Sequence, residues 1–230
     1  MATLSNHCSG LAKQFILMFL GAVFVLNHVR AADPDPLQDF CIADINASNS
    51  IPTNGYLCKA RSLVTADDFT FTGLREKGDT VVTGTNATIT YALVQQYPGV
   101  NTQGISHVRL DFEPGGVIPP HTHPLASETI FVVEGSVFTG FVSHDNKLFT
   151  KTLHKGDVFL FPRATLHFQL CVGNVSAITF NSFNAQFPGL LMAANQLFVT
   201  NMNHDVLAKS FGSNEAVMNA VNASIPRFWG

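Results

Sequence analysis

Three histidines and one glutamate carry the chemistry of this sequence: His121, His123, Glu128 and His167. His121-Thr122-His123 stands at the end of a β-like segment. In a strand, residues two apart share a face, so both imidazoles can reach one point. Glu128 follows after Pro124-Leu125-Ala126-Ser127, a short bend that leads into the apolar run 130–133. His167 arrives much later, between Leu166 and Phe168, after the turn at Pro162. The bland alternative is a pair of surface-loop histidines and a strand-edge charge. Glu128 argues against it, because a carboxylate buried beside apolar residues is costly unless paired or metal-bound.

Three imidazoles and a carboxylate form a mixed nitrogen and oxygen donor set, which selects among metals. Without a thiolate, cysteine-rich structural zinc and iron–sulfur clusters are excluded. Calcium or magnesium would ask mainly for oxygen. Manganese, iron, nickel, copper and zinc remain. An octahedral ion held by four residues would keep two positions free for water, dioxygen or substrate. His107, His144, His154 and His204 have no such partners in sequence and are expected at the surface.

The elements that must position these side chains are short. From residue 105 onward, apolar runs occur at 105–112, 129–133, 137–142, 149–153, 158–161, 167–172 and 177–183. Turn signals separate them, among them Pro114-Gly115-Gly116, Glu134-Gly135 and Lys155-Gly156-Asp157. Many short strands at regular spacing predict an all-β sandwich or closed barrel rather than alternating strands and helices. The segments 205–211 and 215–221 change character, with Val206, Leu207 and Phe211, then Val217, Met218 and Val221, at helical spacing. Two short helices after a complete barrel are expected to dock on a neighbouring subunit.

The 230 residues are 46% hydrophobic and 13% charged. So few charges imply a surface covered in an oligomer or by sugars. The formal charge of -3 comes without any basic run, which argues against nucleic acid and anionic membranes as partners. Residues 15–26 are an unbroken apolar run of 12, too short for the roughly 20 residues a bilayer span needs. Ala31 and Ala32 follow, then Asp33-Pro34-Asp35-Pro36. This pattern predicts a signal peptide over 1–31, removed to leave residues 32–230 as one domain and no membrane attachment. The barrel core is expected at about 60–200 and the helices at about 204–225. Taking Lys13 and Arg30 from the 13 basic residues leaves 11 against 16 acidic, a mature charge of about -5.

Secretion makes a disulfide plausible for a nearby cysteine pair. Cys41 and Cys58 flank a polar, loop-like stretch, and a bridge would close a loop worth roughly 3 kcal/mol in the chain-entropy view. Cys171, in an apolar run, is expected as a buried free thiol. Asn46, Asn86, Asn174 and Asn222 each open an Asn-x-Ser/Thr sequon, a glycan acceptor in a secreted chain.

The chain resembles the germin-like proteins, a plant branch of the cupin superfamily. The resemblance runs from Asp33-Pro34-Asp35-Pro36-Leu37-Gln38-Asp39-Phe40-Cys41 to Asp205-Val206-Leu207-Ala208-Lys209. Its two boxes are 116–135, with His121, His123 and Glu128, and 156–174, with Phe161-Pro162-Arg163 and His167-Phe168-Gln169. It implies a cupin jelly-roll β-barrel with short C-terminal helices and one Mn(2+) held by His121, His123, Glu128 and His167. It also implies the Cys41–Cys58 bridge, a homo-oligomer of hexamer type, and a place in the apoplast and cell wall.

The chain departs from that pattern at Ala164, where glycine is usual, and at Cys171, where asparagine is usual. The pocket departs further. Oxalate-oxidising germins hold their substrate with two asparagines, and alignment on His121 puts those positions at Val108 and Ile118. Aliphatic groups cannot donate to a small dianion, so oxalate oxidase activity is expected to be weak or absent. Superoxide needs little pocket, and superoxide dismutase activity yielding hydrogen peroxide in plant defence or oxidative stress is the leading expectation. Oxalate oxidase and a non-catalytic, metal-stabilised wall or receptor-like protein are the alternatives, and the residues alone leave open whether the chain is an enzyme.

Overall fold

The strands predicted from the apolar runs are present, joined by three more. The computed structural model describes residues 38–47, 55–81 and 84–225, so the expected signal peptide, 1–31, lies outside the described residues. Ten strands run in chain order as β1 Ala87–Ala92, β2 Ser106–Phe112, β3 Val117–Thr122, β4 Glu128–Glu134 and β5 Ser136–Val142. They continue as β6 Leu148–His154, β7 Val158–Phe161, β8 Leu166–Cys171, β9 Ala177–Phe183 and β10 Leu191–Met192. They form two five-stranded sheets, ordered β1-β2-β9-β4-β7 and β10-β3-β8-β5-β6, with every pairing antiparallel. This is a jelly roll, two sheets closing on one core.

Period-two alternation builds that core. Along β4, Glu128, Ile130 and Val132 turn inward while Thr129 and Phe131 turn out. Ile130, Val132, Val137, Phe112, Phe161 and Ile118 are all buried in one cluster, each worth about 1.5–3 kcal/mol of transfer free energy. Gly135 turns β4 into β5 at φ +77°, and a Cβ there would sit 2.7 Å from the Ser176 carbonyl oxygen. That position admits glycine alone without rearrangement.

β1 and β10 lie outside the predicted apolar runs, and β3 is the β-like segment that ends at the two histidines. β1 carries Thr88 and Thr90 among its six residues, and β3 contains Pro119-Pro120. Proline has no N–H to offer a ladder, and the β3–β8 register shifts between Ile118 and His121, where the two prolines lie. Outside the first sheet, Arg109 forms a buried ion pair with Asp111, Nη2 to Oδ1 at 2.8 Å. Arg109 Nη1 also donates to the Leu74 and Arg75 carbonyls, and Gly78 N–H donates to Asp111 Oδ2. The loop preceding β1 is thereby strapped over β2, which keeps the other face of that strand free to line the interior.

Three helices close the described chain: α1 Ala193–Phe198, α2 His204–Ser210 and α3 Glu215–Ser224. The last two answer the predicted helical segments. Asn203 caps α2 through the N–H groups of Asp205 and Val206, and Asn214 caps α3 through that of Val217. Leu207, Ala208 and Met218 pack with Leu197 and Phe198 in a small cluster of their own. Val206, Phe211 and Val217 remain exposed.

Candidate metal centre

The four sequence-flagged residues meet inside the barrel. His121 lies on β3, His123 just beyond its end, Glu128 at the first residue of β4, and His167 at the second residue of β8. The β3–β8 register sets His121 directly opposite His167. Glu128 comes from the facing sheet, so the cluster ties the two sheets together. All four are buried, and one ligand atom from each lies within 4.8 Å of the others.

Backbone carbonyls fix the imidazoles. His121 Nδ1 is 2.8 Å from Pro119 O, and His167 Nδ1 is 2.9 Å from Thr165 O. His123 Nδ1 makes the same contact with Gly189 O. A carbonyl only accepts, so each Nδ1 carries a proton and donates, and each Nε2 is turned to the centre. Phe161 stacks on His167 at 4.4 Å between centroids, and Phe183 meets His123 edge-on at 4.7 Å.

Glu128 Oε2 stands 3.0 Å from His167 Nε2 and 3.2 Å from His123 Nε2. With a metal bound, each Nε2 would offer it a lone pair and Glu128 would offset its charge. Burial, then the neighbouring His167, pushes His121 down to about 3, which keeps that ring neutral and able to ligate. Burial would raise the Glu128 carboxyl, but the imidazoles of His123 and His167 outweigh it and hold the carboxyl well below its usual range. The donor set and its charge therefore fit a bound metal ion.

Residues 72–219 match the family described as Cupin. A germin-like protein of Arabidopsis thaliana, subfamily 2 member 3, is 41% identical over 218 residues, 94% of this chain and 99% of the relative. The chain belongs to the germin-like proteins of the cupin family. Among solved structures, recombinant oxalate oxidase in complex with glycolate superposes with a TM-score of 0.80 at 36% identity, covering 84% of this chain and 97% of that one. Peruvianin-I, a cysteine peptidase from Thevetia peruviana latex, gives 0.66 at 37% identity over 70% of this chain and 98% of its own.

A cavity of about 370 Å³ opens beside the cluster, and His121, His123 and Glu128 form part of its wall. Val108 on β2 and Ile118 on β3, both buried, line it, with Leu110 and Phe183 beside them. Tyr91, Gln95 and Gln96 also line the cavity, and two further polar residues absent from the sequence-based site lie deeper in the interior. Asn181 on β9 is buried, donates through Nδ2 to Glu128 Oε1 and accepts at Oδ1 from the Thr179 hydroxyl at 2.7 Å. Gln169 on β8 lines the cavity two residues from His167. Their signal was a polar residue at an inward position of an apolar strand.

The remaining sites fall elsewhere. Cys41 and Cys58 are bridged, Cα to Cα 4.8 Å, and Cys171 is free and buried. Asn46, Asn86 and Asn174 are exposed, whereas Asn222 is half-buried on α3. His144, His154 and His204 stay outside the cluster, with His154 bonded to Ser136. His107 departs from the surface expectation, being half-buried with Nδ1 2.9 Å from Ser182 Oγ. Ala164 sits at φ +59° in the turn before β8, in the left-handed region that glycine favours.

Proposed function

We propose that the chain is a secreted, manganese-binding germin-like glycoprotein of the plant apoplast, acting as a superoxide dismutase in oxidative defence and lacking oxalate oxidase activity. The observation that carries this reading is one buried cluster of three imidazoles and a carboxylate opening onto a cavity whose walls at Val108 and Ile118 offer no donor. His121, His123, Glu128 and His167 would hold the manganese ion, which would supply the one-electron redox chemistry for turning two superoxides and two protons into dioxygen and hydrogen peroxide. The protein's own part is to orient the rings through their Nδ1–H bonds and to balance charge through Glu128.

Secretion is supported by the Cys41–Cys58 bridge and by the signal-like residues 1–31, and glycosylation by the exposed sequons at Asn46, Asn86 and Asn174. A homo-oligomer, hexameric by family resemblance, is supported by exposed Val206, Phe211 and Val217. Among the described residues no helix is long and apolar enough to cross a membrane. A peptidase reading finds no support in Cys171, which is 2% exposed.

Likeness to the glycolate-bound oxalate oxidase favours oxalate oxidation as the alternative. Metal analysis with superoxide-scavenging and oxalate-dependent peroxide assays, on protein secreted from a plant host, decides between them. Manganese with scavenging that disappears in His121→Ala/His123→Ala is the expected result. Strong oxalate turnover would overturn the pocket argument. Equal scavenging in both proteins would leave a non-catalytic, metal-stabilised wall protein.

A further inference from the structure

We propose that Gln186 positions the metal centre, and that through it the Cys41–Cys58 bridge is a thiol-exchange site whose reduction weakens the hold on the metal. The inference rests on the metal-binding reading above and adds a control to that same site.

His123 is aimed by the Gly189 carbonyl, and Gly189 belongs to the segment 184–190 between β9 and β10. On one side this segment holds the ligand loop. Asn184 Oδ1 accepts from the Ser127 N–H at 2.8 Å, and Pro188 O accepts from the Leu125 N–H at 3.1 Å. On the other side Gln186, 8% exposed, accepts at Oε1 from the Thr102 N–H and at its own carbonyl from the Val94 N–H. Gln186 thus ties the segment that aims His123 to residues 94–102.

The cysteine bridge meets the same residues. Asn101, 0% exposed, donates through Nδ2 to Tyr56 O at 3.0 Å and accepts at Oδ1 from the Tyr56 N–H at 3.0 Å. Its Nδ2 also stands 3.3 Å from Cys41 Sγ. A Cβ on Gly55 would lie 3.0 Å from Asn101 Oδ1 and 3.6 Å from Gln186 Nε2, so the loop closed by the bridge abuts both side chains. Thr102 shows that this clamp works against resistance. Its φ is +64°, a region that β-branched residues avoid, and its buried Oγ1 has no hydrogen-bond partner. Such a conformation persists only where its surroundings over-determine it. The clamp packs around Ala43, Val94 and Val100, a cluster separate from the barrel core, so it can open while the barrel stands.

Cys58 is exposed and Cys41 is buried. The thiolate of a dithiol reductant attacks Cys58 Sγ and forms a mixed disulfide, while Cys41 leaves as a thiolate facing the Asn101 Nδ2–H. The second thiol of the reductant then displaces Cys58. The reductant ends as its disulfide, and the two protons it gives up end on Cys41 and Cys58. With the loop open, Thr102 relaxes, Gln186 loses its anchor, and the Gly189 carbonyl no longer holds His123 in one place.

Chelator competition on the full chain tests this, with the bridge intact and after treatment with dithiothreitol, capping with iodoacetamide and removal of both reagents. Reduction is expected to weaken metal binding at least ten-fold. Gln186→Met is expected to bind at least ten-fold more weakly with the bridge intact, and reduction is expected to change it less than two-fold further. Equal affinity before and after reduction of the native chain would overturn the proposal, as would losses that multiply in the reduced variant. Hydrogen exchange on the metal-free native chain needs neither metal nor variant. Reduction is expected to speed exchange at 94–102 and 184–190 while β4 and β9 stay protected. Unchanged exchange, or loss of protection in β4 and β9 as well, would overturn the coupling. A protein that takes up no metal sinks the metal reading instead, and hydrogen exchange then decides the coupling alone.

Discussion

Glu128 and His167 stand 39 residues apart in the chain and on opposite sheets, yet Oε2 of one lies 3.0 Å from Nε2 of the other. The contact joins the two halves of the barrel at one charged point. A cation bound there would neutralise the carboxylate and hold the sheets together.

Chelation should therefore loosen the fold. An ion present at about a hundred times its dissociation constant adds about 2.7 kcal/mol. For a domain of this size that is roughly 5–10 °C in Tm. Thermal unfolding at neutral pH with and without a chelator should show this drop, and His167→Ala should abolish the difference. An unchanged Tm on chelation counts against a bound ion.

Asn181 is expected to tune metal affinity without ligating. Its Nδ2 serves Glu128 Oε1, so Asn181→Leu strips the carboxylate of a donor and orphans the Thr179 hydroxyl. A loss of metal affinity of about 10–100-fold should follow, measured by competition with a chelator. Unaltered affinity would show that the bond is incidental.

The four ligands could be anticipated because histidine pairs two apart and a carboxylate beside apolar residues are rare without a reason. How His167 reaches His121 was not legible, since it depends on β3 pairing with β8 far along the chain. Only the histidine end of β3 was legible, because Pro119-Pro120 interrupts the strand pattern before it. Asn181 and Gln169 went unnoticed because period-two patterning sorts residues by face and not by partner. Only with β9 beside β4 does Asn181 come next to Glu128.

Ala164 offers a test of local strain. Its φ of +59° lies in the turn that delivers the Thr165 carbonyl to His167. Left-handed backbone costs an alanine about 1 kcal/mol, partly offset in glycine by unfolded-state entropy. Ala164→Gly should match or slightly exceed the native Tm. Ala164→Val, β-branched in the same conformation, should lower stability by about 1–3 kcal/mol. Denaturant unfolding would rank the three, and valine equal to alanine would remove the strain argument.

Acid stability should respond to Glu113. Lys77, then Ser176, holds its carboxyl below the ordinary value of 4.5. A depressed folded value stabilises above the unfolded one and is lost as pH falls through the folded value. Native protein should therefore exceed Glu113→Gln in Tm near pH 7, with the gap closing below about pH 4.5. A gap that persists into strong acid would assign the effect to packing.

The imidazoles are steered by peptide carbonyls at Pro119, Thr165 and Gly189, groups that no side-chain substitution removes. The cavity beside them is shaped by side chains such as Val108 and Ile118, which a single codon can change. What the protein grips is thus written in its main chain, and what it admits is written in interchangeable walls. Such a division lets a lineage retarget its chemistry while inheriting the same anchor intact.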